Sequence, residues 1–143
     1  MVVGVSIGSQ NGLALATFPK GDEQDAVDFL MEIWMDTSDS KAWVWWPHRF
    51  IAPFYKPSIV DSKPAYETLH RLFSDRDVHR KVSLQAVNFR TGKTRVFTES
   101  LSREELIMGC VASCNIPTFF SPIKLSDGDY YVDGGLFAKL ELA

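Results

Sequence analysis

The sequence has 143 residues, of which 45% are hydrophobic and 13% aromatic, so it can bury one sizeable core but is short for two domains. Its net charge of -3 provides no basic stripe for phosphates, which excludes nucleic acid as the main partner. No apolar run reaches the roughly 18 residues that a membrane-spanning helix needs, and no secretory signal pattern is seen. We therefore expect residues 1–143 to form a single, soluble, cytoplasmic domain.

The first dozen residues carry the pattern GxSxG between an apolar strand and a helix. Gly4 and Gly8 flank Ser6, and Leu13–Ala16 continue as helix. A serine on so tight a turn is forced towards positive φ, and we expect side chains at both glycines to collide with the neighbouring strand and helix. The pattern predicts a nucleophilic hydroxyl at Ser6, with the backbone amide of Ile7 as one oxyanion donor. An ordinary Gly/Ser turn remains an alternative, because GxSxG also occurs by chance.

The middle of the chain contains two predicted helices. Residues from about 22 to 36 have apolar side chains at helical spacing, which predicts an amphipathic helix that covers one face of a sheet. The positions that define this stripe are Val27, Leu30, Met31 and Trp34. A second, shorter helix is predicted from Pro64 to Phe73.

An aromatic stretch from Trp43 to Tyr55 separates these helices and shows no sustained period. Tryptophan and tyrosine favour boundaries between apolar and aqueous phases, which favours a lipid-facing interpretation of the stretch. Aromatic side chains are also normally buried, so packing on the core is the competing interpretation. The sequence leaves both interpretations open.

The last third of the chain predicts two hairpins around a helix. Residues 82–89 and 94–98 alternate around a turn, and residues 122–125 and 130–132 form a second pair of extended runs. Between the hairpins, Ser102 and Glu105 make a capping box, which predicts a helix from about Arg103 to Cys114. No internal repeat is seen.

The second hairpin leads into Asp133, which is followed by Gly134 and Gly135. This arrangement suits a carboxylate held at a strand end with its backbone close to another segment, although a plain turn aspartate is the commoner case. No histidine follows Asp133, so the chain order Ser, acid, His of the α/β-hydrolases is not possible. The three histidines lie between Ser6 and Asp133 in segments without a site-like signal, and we expect surface or packing roles for them: His48, His70 and His79. Asp133 is therefore the candidate base for Ser6.

Two cysteines, Cys110 and Cys114, lie four positions apart in the predicted helix. They are interpreted as small buried apolar residues rather than as a disulfide framework. No group of His, Cys, Asp and Glu has metal-ligand spacing, so we expect activity without a metal.

The chain resembles the patatin-like phospholipases. The resemblance rests on GVSIGSQNG at residues 4–12, ASCNIPTFFSPIKL at 112–125 and YYVDGG at 130–135. It implies a three-layer α/β/α fold and a Ser-Asp dyad in which Ser6 attacks a lipid ester and Asp133 is the base. It further implies an acyl-enzyme intermediate, no cofactor, a lipid ester substrate and contact with a lipid interface.

Members of that family carry a glycine-rich loop upstream of the serine, and the loop supplies most of the oxyanion hole. The sequence begins three residues before Gly4, so we expect an α/β domain that is incomplete at its N-terminus and beyond Ala143, with at most weak activity by itself. Two functions of different class remain open. One is a serine lipid acyl hydrolase, and the other is a non-catalytic domain of the same fold that binds lipid or a partner.

Overall fold

The computed structural model describes residues 1–37, 43–46 and 58–136. Within these ranges no helix is both long and apolar enough to span a membrane. The described strands are β1 (Val2–Val5), β2 (Val44–Trp45), β3 (Val60–Asp61), β4 (Val82–Asn88), β5 (Thr94–Thr98), β6 (Ile123–Lys124) and β7 (Tyr130–Asp133). The described helices are α1 (Ile7–Ala16), α2 (Glu23–Asp36), α3 (Lys63–Phe73) and α4 (Arg103–Cys114), with a 3-10 turn at Gly134–Leu136.

The central strand of the mixed sheet is β4. Strand β5 pairs antiparallel with one edge of β4, while β1 (parallel) and β7 (antiparallel) share the other edge. Strand β1 ends where Val5 pairs with Gln85, and β7 ends where Asp133 pairs with Ala86. Because β1 and β7 run in opposite directions along one edge, their carboxyl ends converge at neighbouring residues of β4. The residues that follow these two ends are therefore brought together.

One face of this sheet forms the main hydrophobic core with the helices. Helices α1 and α4 contact β4, whereas α2 packs on α1 and α3 packs on α4. The sheet contributes alternate residues of β4 to this core, as expected for side chains with a period of two. The core includes Leu13, Ile33, Phe73, Val82, Leu84, Ala86, Phe97, Ile107 and Tyr131. The predicted α/β class is confirmed.

Helix α2 has the predicted extent but a different buried face. Ala26 and Ile33 are its buried residues, whereas Val27, Met31 and Trp34 are 48%, 60% and 46% exposed. The predicted stripe is therefore wrong at Val27, Met31 and Trp34, whereas its fourth position, Leu30, is partly buried against the core. The physical reason is that α2 has apolar residues on two adjoining faces and packs against α1, so periodicity alone could not decide which face is buried.

The predicted hairpins and the capping box of α4 are confirmed. Strands β4 and β5 pair antiparallel, as do β6 and β7. The Ser102 hydroxyl accepts a hydrogen bond from the Glu105 backbone N–H, and the Glu105 carboxylate accepts one from the Ser102 backbone N–H. Local sequence signals thus determined both hairpins and the start of α4.

The aromatic stretch is described only at its beginning, and residues 47–55 of it lie outside the described ranges. Strand β2 pairs with β3 in a small two-stranded sheet that the sequence did not predict. Trp45 is 50% exposed, and the indole Nε1 of Trp46 donates a hydrogen bond of 3.2 Å to the Ser58 hydroxyl. A lipid-facing role of this stretch therefore stays a prediction.

The capping box supports a test of stability. Ser102→Ala removes the N-cap hydroxyl, and we expect the free energy of unfolding to fall by about 1 kcal/mol. The neighbouring exposed Ser100 lies outside the helix, and Ser100→Ala should change the stability little. Chemical denaturation of both variants measures the difference, and equal losses would contradict a specific capping role for Ser102.

The same box makes a prediction for pH. The Ser102 hydroxyl donates a hydrogen bond to the Glu105 carboxylate and lowers the pKa of Glu105 below its ordinary value of 4.5. Because the folded-state pKa is the lower one, this contribution to stability is present above pH 4.5 and is lost as the pH falls through the lowered value. In Ser102→Ala the pKa of Glu105 should return towards 4.5, which an NMR titration of the side-chain carboxyl carbon measures.

Candidate active site

Ser6 occupies the single residue between β1 and α1. Its backbone has φ 54° and ψ -136°, so the expected positive φ is observed. Such a conformation costs a non-glycine residue about 1–3 kcal/mol and persists only where neighbouring contacts hold it. A β-carbon added to Gly4 would lie 2.4 Å from the Gly8 carbonyl oxygen. The absence of a side chain at Gly4 therefore lets β1 and α1 approach closely enough to form the turn.

Gly8 does not behave as expected. A β-carbon added there meets no atom within 4 Å, so the predicted collision at Gly8 is wrong. The physical reason is that the backbone of Gly8, and not its side-chain position, faces Gly4. A side chain at Gly8 would point into open space. Of the two glycines that flank Ser6, only Gly4 is required by sterics within the described residues.

Asp133 lies against Ser6 at the end of β7. The Ser6 hydroxyl donates to Asp133 Oδ2 at 2.6 Å, and the Gly135 backbone N–H donates to Oδ1 at 2.7 Å. The Asp133 backbone N–H donates to the Asn115 carbonyl at 2.9 Å. Asp133 is only 3% exposed. Both carboxylate oxygens and the main chain are therefore held, and the carboxylate orientation towards Ser6 is fixed.

The two glycines after Asp133 fit a crowded position. A β-carbon at Gly134 would lie 2.6 Å from the Gln85 carbonyl oxygen, and one at Gly135 would lie 3.1 Å from Asp133 Oδ1. The first contact is with the backbone of the central strand, which cannot move easily. Gly134 therefore permits the 3-10 turn to approach β4, which is the close backbone approach expected of this motif.

Ser113, a residue of α4 that no sequence motif indicated, contacts the turn at Ser6. Its hydroxyl oxygen accepts hydrogen bonds from the Ser6 backbone N–H at 2.8 Å and from the Ser9 hydroxyl at 2.9 Å. The Ser113 hydroxyl donates in turn to the Gln85 carbonyl at 2.6 Å. The residue lies in the segment at 112–125 that carried the resemblance, but nothing in its local pattern distinguishes it from other small helical residues.

The N-terminus of α1 faces the Ser6 side of the site. Because Ile7 is the first residue of α1, its backbone N–H has no acceptor within the helix. The first turn of α1 contains no acidic residue that would oppose a negative charge there. The helix dipole and this N–H favour negative charge near Ser6, and the role of Ile7 as an oxyanion donor stays a prediction.

A cavity of about 280 Å³ opens beside Ser6 between α1, α3 and α4. Its volume is close to the lower end of the range of about 300 to 1,000 Å³ that small-molecule sites occupy. Its polar lining includes Ser6, Gln10 and Asn115. The apolar lining consists of Ile7, Ala65, Leu69, Val111, Ile116 and Phe120. An apolar chain attached to a reacting group at Ser6 could be accommodated here.

Other groups with catalytic potential lie apart from the Ser6–Asp133 contact. His70 Nε2 is 3.7 Å from a carboxylate oxygen of Glu104, and His79 is exposed; His48 lies outside the described ranges. A hydrogen bond with Cys114 and burial raise the pKa of the Cys110 thiol well above its ordinary value. Cys110 is buried as expected, whereas Cys114 is half-buried and lines the cavity. Among the described residues, no three His, Cys, Asp or Glu side chains are grouped to hold a metal ion.

The fold and the site together define an α/β protein with a serine on a strand-turn-helix connection, in contact with a buried carboxylate. The chain belongs to the patatin-like phospholipase family, whose family model matches residues 1–142. It is 30% identical over 157 aligned positions to the cGAMP-activated phospholipase of Escherichia coli (strain TW11681), covering 97% of this chain and 41% of that protein. The chain thus spans less than half the length of that curated relative.

A solved structure is also similar in part. VipD from Legionella pneumophila matches with a TM-score of 0.41 and 13% sequence identity, covering 96% of this chain and 26% of that one.

Proposed function

We propose that this chain provides the catalytic centre of a lipid acyl hydrolase, with Ser6 as nucleophile and Asp133 as general base. The observation that carries the proposal is the hydrogen bond of 2.6 Å from the Ser6 hydroxyl to Asp133 Oδ2. A nucleophile within hydrogen-bond reach of a base that is itself oriented by a third group is the usual signature of covalent catalysis. Here the Gly135 backbone N–H is the orienting group.

In the acylation step, Asp133 accepts the hydroxyl proton as Ser6 Oγ attacks the ester carbonyl carbon. Negative charge develops on the carbonyl oxygen, and the Ile7 N–H and the N-terminus of α1 stabilise it. Collapse of the tetrahedral intermediate breaks the bond to the alcohol. Asp133 returns the proton to the leaving alkoxide, which leaves an acyl group on Ser6.

In the second step, water replaces the alcohol. Asp133 accepts a proton from the water, which attacks the acyl carbonyl, and the proton then passes to Ser6 Oγ as the acyl bond breaks. One carboxylate thus acts as base and then as acid in each half of the cycle. The products are a fatty acid and the regenerated Ser6 hydroxyl.

The apolar cavity beside Ser6 is evidence that the protein binds the acyl group of its substrate there. Ile7, Leu69 and Phe120 supply hydrophobic surface next to the nucleophile. Burial of apolar surface contributes about 0.8 kcal/mol per methylene group, so longer acyl chains should bind more tightly until the cavity is full. The lipid ester substrate and contact with a lipid interface are parts of the same proposal.

The test is hydrolysis of p-nitrophenyl butyrate and of phospholipid vesicles by the protein and by Ser6→Ala. We expect weak but measurable hydrolysis of both substrates by the wild type, none by the variant, and no loss on treatment with a chelator. Lipid binding without Ser6-dependent turnover would contradict catalysis and would support the non-catalytic binding domain instead.

A further inference from the structure

The last turn of α4 contacts both members of the Ser6–Asp133 pair. Ser113 accepts a hydrogen bond from the Ser6 backbone N–H at 2.8 Å, and the Asn115 carbonyl accepts one from the Asp133 backbone N–H at 2.9 Å. We propose that this turn is the frame that sets the distance between nucleophile and base, with Ser113 as a positioning residue. The inference rests on the proposed function.

The hydrogen-bonding capacity of Ser113 is fully used. A hydroxyl has one donor and two acceptor sites, and Ser113 donates to the Gln85 carbonyl while it accepts from Ser6 and Ser9. The residue is 0% exposed, so water cannot substitute for any of these partners. Ser113 therefore joins the turn, α1 and the central strand at one atom.

The contact matters because Ser6 is held in a costly conformation. The Ser6 φ of 54° is unfavourable for a residue with a side chain, so the backbone would change to a more favourable φ if surrounding contacts did not prevent it. The hydrogen bond from its N–H to Ser113 opposes it directly. Loss of this acceptor would leave the partly buried Ser6 N–H without its partner and allow the Ser6 hydroxyl to move relative to Asp133. A displacement of about 1 Å can reduce a catalytic rate about 100-fold.

The Asp133 side of the frame is fixed by the side chain of Asn115. Its Nδ2 donates to the Ser62 hydroxyl at 3.0 Å and to the Ser121 carbonyl at 2.9 Å, and the residue is 2% exposed. These bonds hold the backbone carbonyl that receives the Asp133 N–H. Ser113, which contacts Ser6, and Asn115, which contacts Asp133, are only two positions apart, so this short segment connects the nucleophile to the base.

The experiment compares Ser113→Ala with Ser113→Thr, which keeps the hydroxyl. For each variant, kcat and KM for an ester, the rate of fluorophosphonate labelling at Ser6 and the thermal midpoint are measured. We expect Ser113→Ala to lower kcat and the labelling rate about 10- to 100-fold while KM stays within about twofold, because a fully buried residue cannot touch the substrate. Ser113→Thr should recover part of both rates.

A second buried hydroxyl, that of Thr17, provides a control that separates a loss of stability from a loss of catalytic rate. Thr17, the C-cap residue of α1, donates its hydroxyl hydrogen to the Ala14 carbonyl at 2.8 Å and is 6% exposed. Thr17→Val removes one buried hydrogen bond without a contact to Ser6, so it should lower the thermal midpoint and leave kcat of the folded protein unchanged. If Ser113→Ala does not fold, Ser113→Cys replaces it, since its thiol is nearly isosteric and only weakly hydrogen-bonding, and the same loss of rate is expected.

The outcomes distinguish this inference from the proposed function. Absence of Ser6 labelling in the wild-type protein would overturn the proposed function itself. If the wild type is labelled at Ser6 and Ser113→Ala has the wild-type labelling rate and kcat, the positioning role is overturned while the proposed function stands. A loss of rate in Ser113→Ala equal to that in Thr17→Val would also overturn it.

Discussion

Ser6→Ala and Asp133→Asn are each expected to reduce kcat for ester hydrolysis by at least about 100-fold. Ser6 provides the atom that becomes acylated, and Asp133 is the carboxylate within 2.6 Å of its hydroxyl. Asparagine preserves the shape of the aspartate side chain but cannot accept a proton at neutral pH. The loss should therefore occur without a large change in folding, because Oδ1 of the asparagine can still accept the hydrogen bond from the Gly135 N–H.

The double variant tests whether the two residues act as a unit. Members of one catalytic unit are strongly non-additive, so Ser6→Ala with Asp133→Asn should be about as impaired as either single variant. His70→Ala is a matched control for the histidine alternative, because the ring lies beside Glu104 and is half-exposed. A large loss of kcat in His70→Ala, or wild-type kcat in Asp133→Asn, would contradict the assignment of the base.

The largest expected effect on folding comes from Gly4→Ala. The added methyl group would lie 2.4 Å from the Gly8 carbonyl oxygen and 2.7 Å from the Ser9 α-carbon. Both are backbone atoms of α1, so the helix would have to move away from β1. We expect a loss of about 2–4 kcal/mol in the free energy of unfolding, with activity falling as the turn at Ser6 opens.

Gly8→Ala is the control for this effect. Its methyl group meets no atom within 4 Å, and alanine is favoured over glycine within a helix by about 0.5–1 kcal/mol. The variant should be as stable as the wild type or slightly more stable. Chemical denaturation of both variants measures the contrast. Equal destabilisation by the two substitutions would show that the packing of β1 on α1 is not as described.

Much of the fold was predictable because its signals are local. Residues close together in sequence determine three of its features: the strand before Ser6, the hairpin of β4 and β5, and the cap at Ser102. Asp133 was also chosen as the candidate base from the sequence, because it follows a strand, precedes two glycines and has no histidine after it. Local preference and tertiary structure agree at these positions, which is expected of a sequence that folds to one state.

The remaining features depend on contacts between distant segments. The convergence of β1 and β7 arises from their shared edge of β4, and no local pattern encodes that edge. Ser113 resembles any small helical residue until its three hydrogen-bond partners are known. The buried face of α2 depended on whether α1 or the sheet covers it, and the open space at Gly8 could not be read from the motif.

Ser6 is the proposed nucleophile, and Asp133 is the base proposed to activate it. The most direct measurement is labelling of the protein with a fluorophosphonate, followed by mass-spectrometric identification of the modified residue. For these two roles we expect a single adduct on Ser6, absent in Ser6→Ala and formed at least about 100-fold more slowly in Asp133→Asn. An adduct on another residue, or labelling of Asp133→Asn at the wild-type rate, would contradict them.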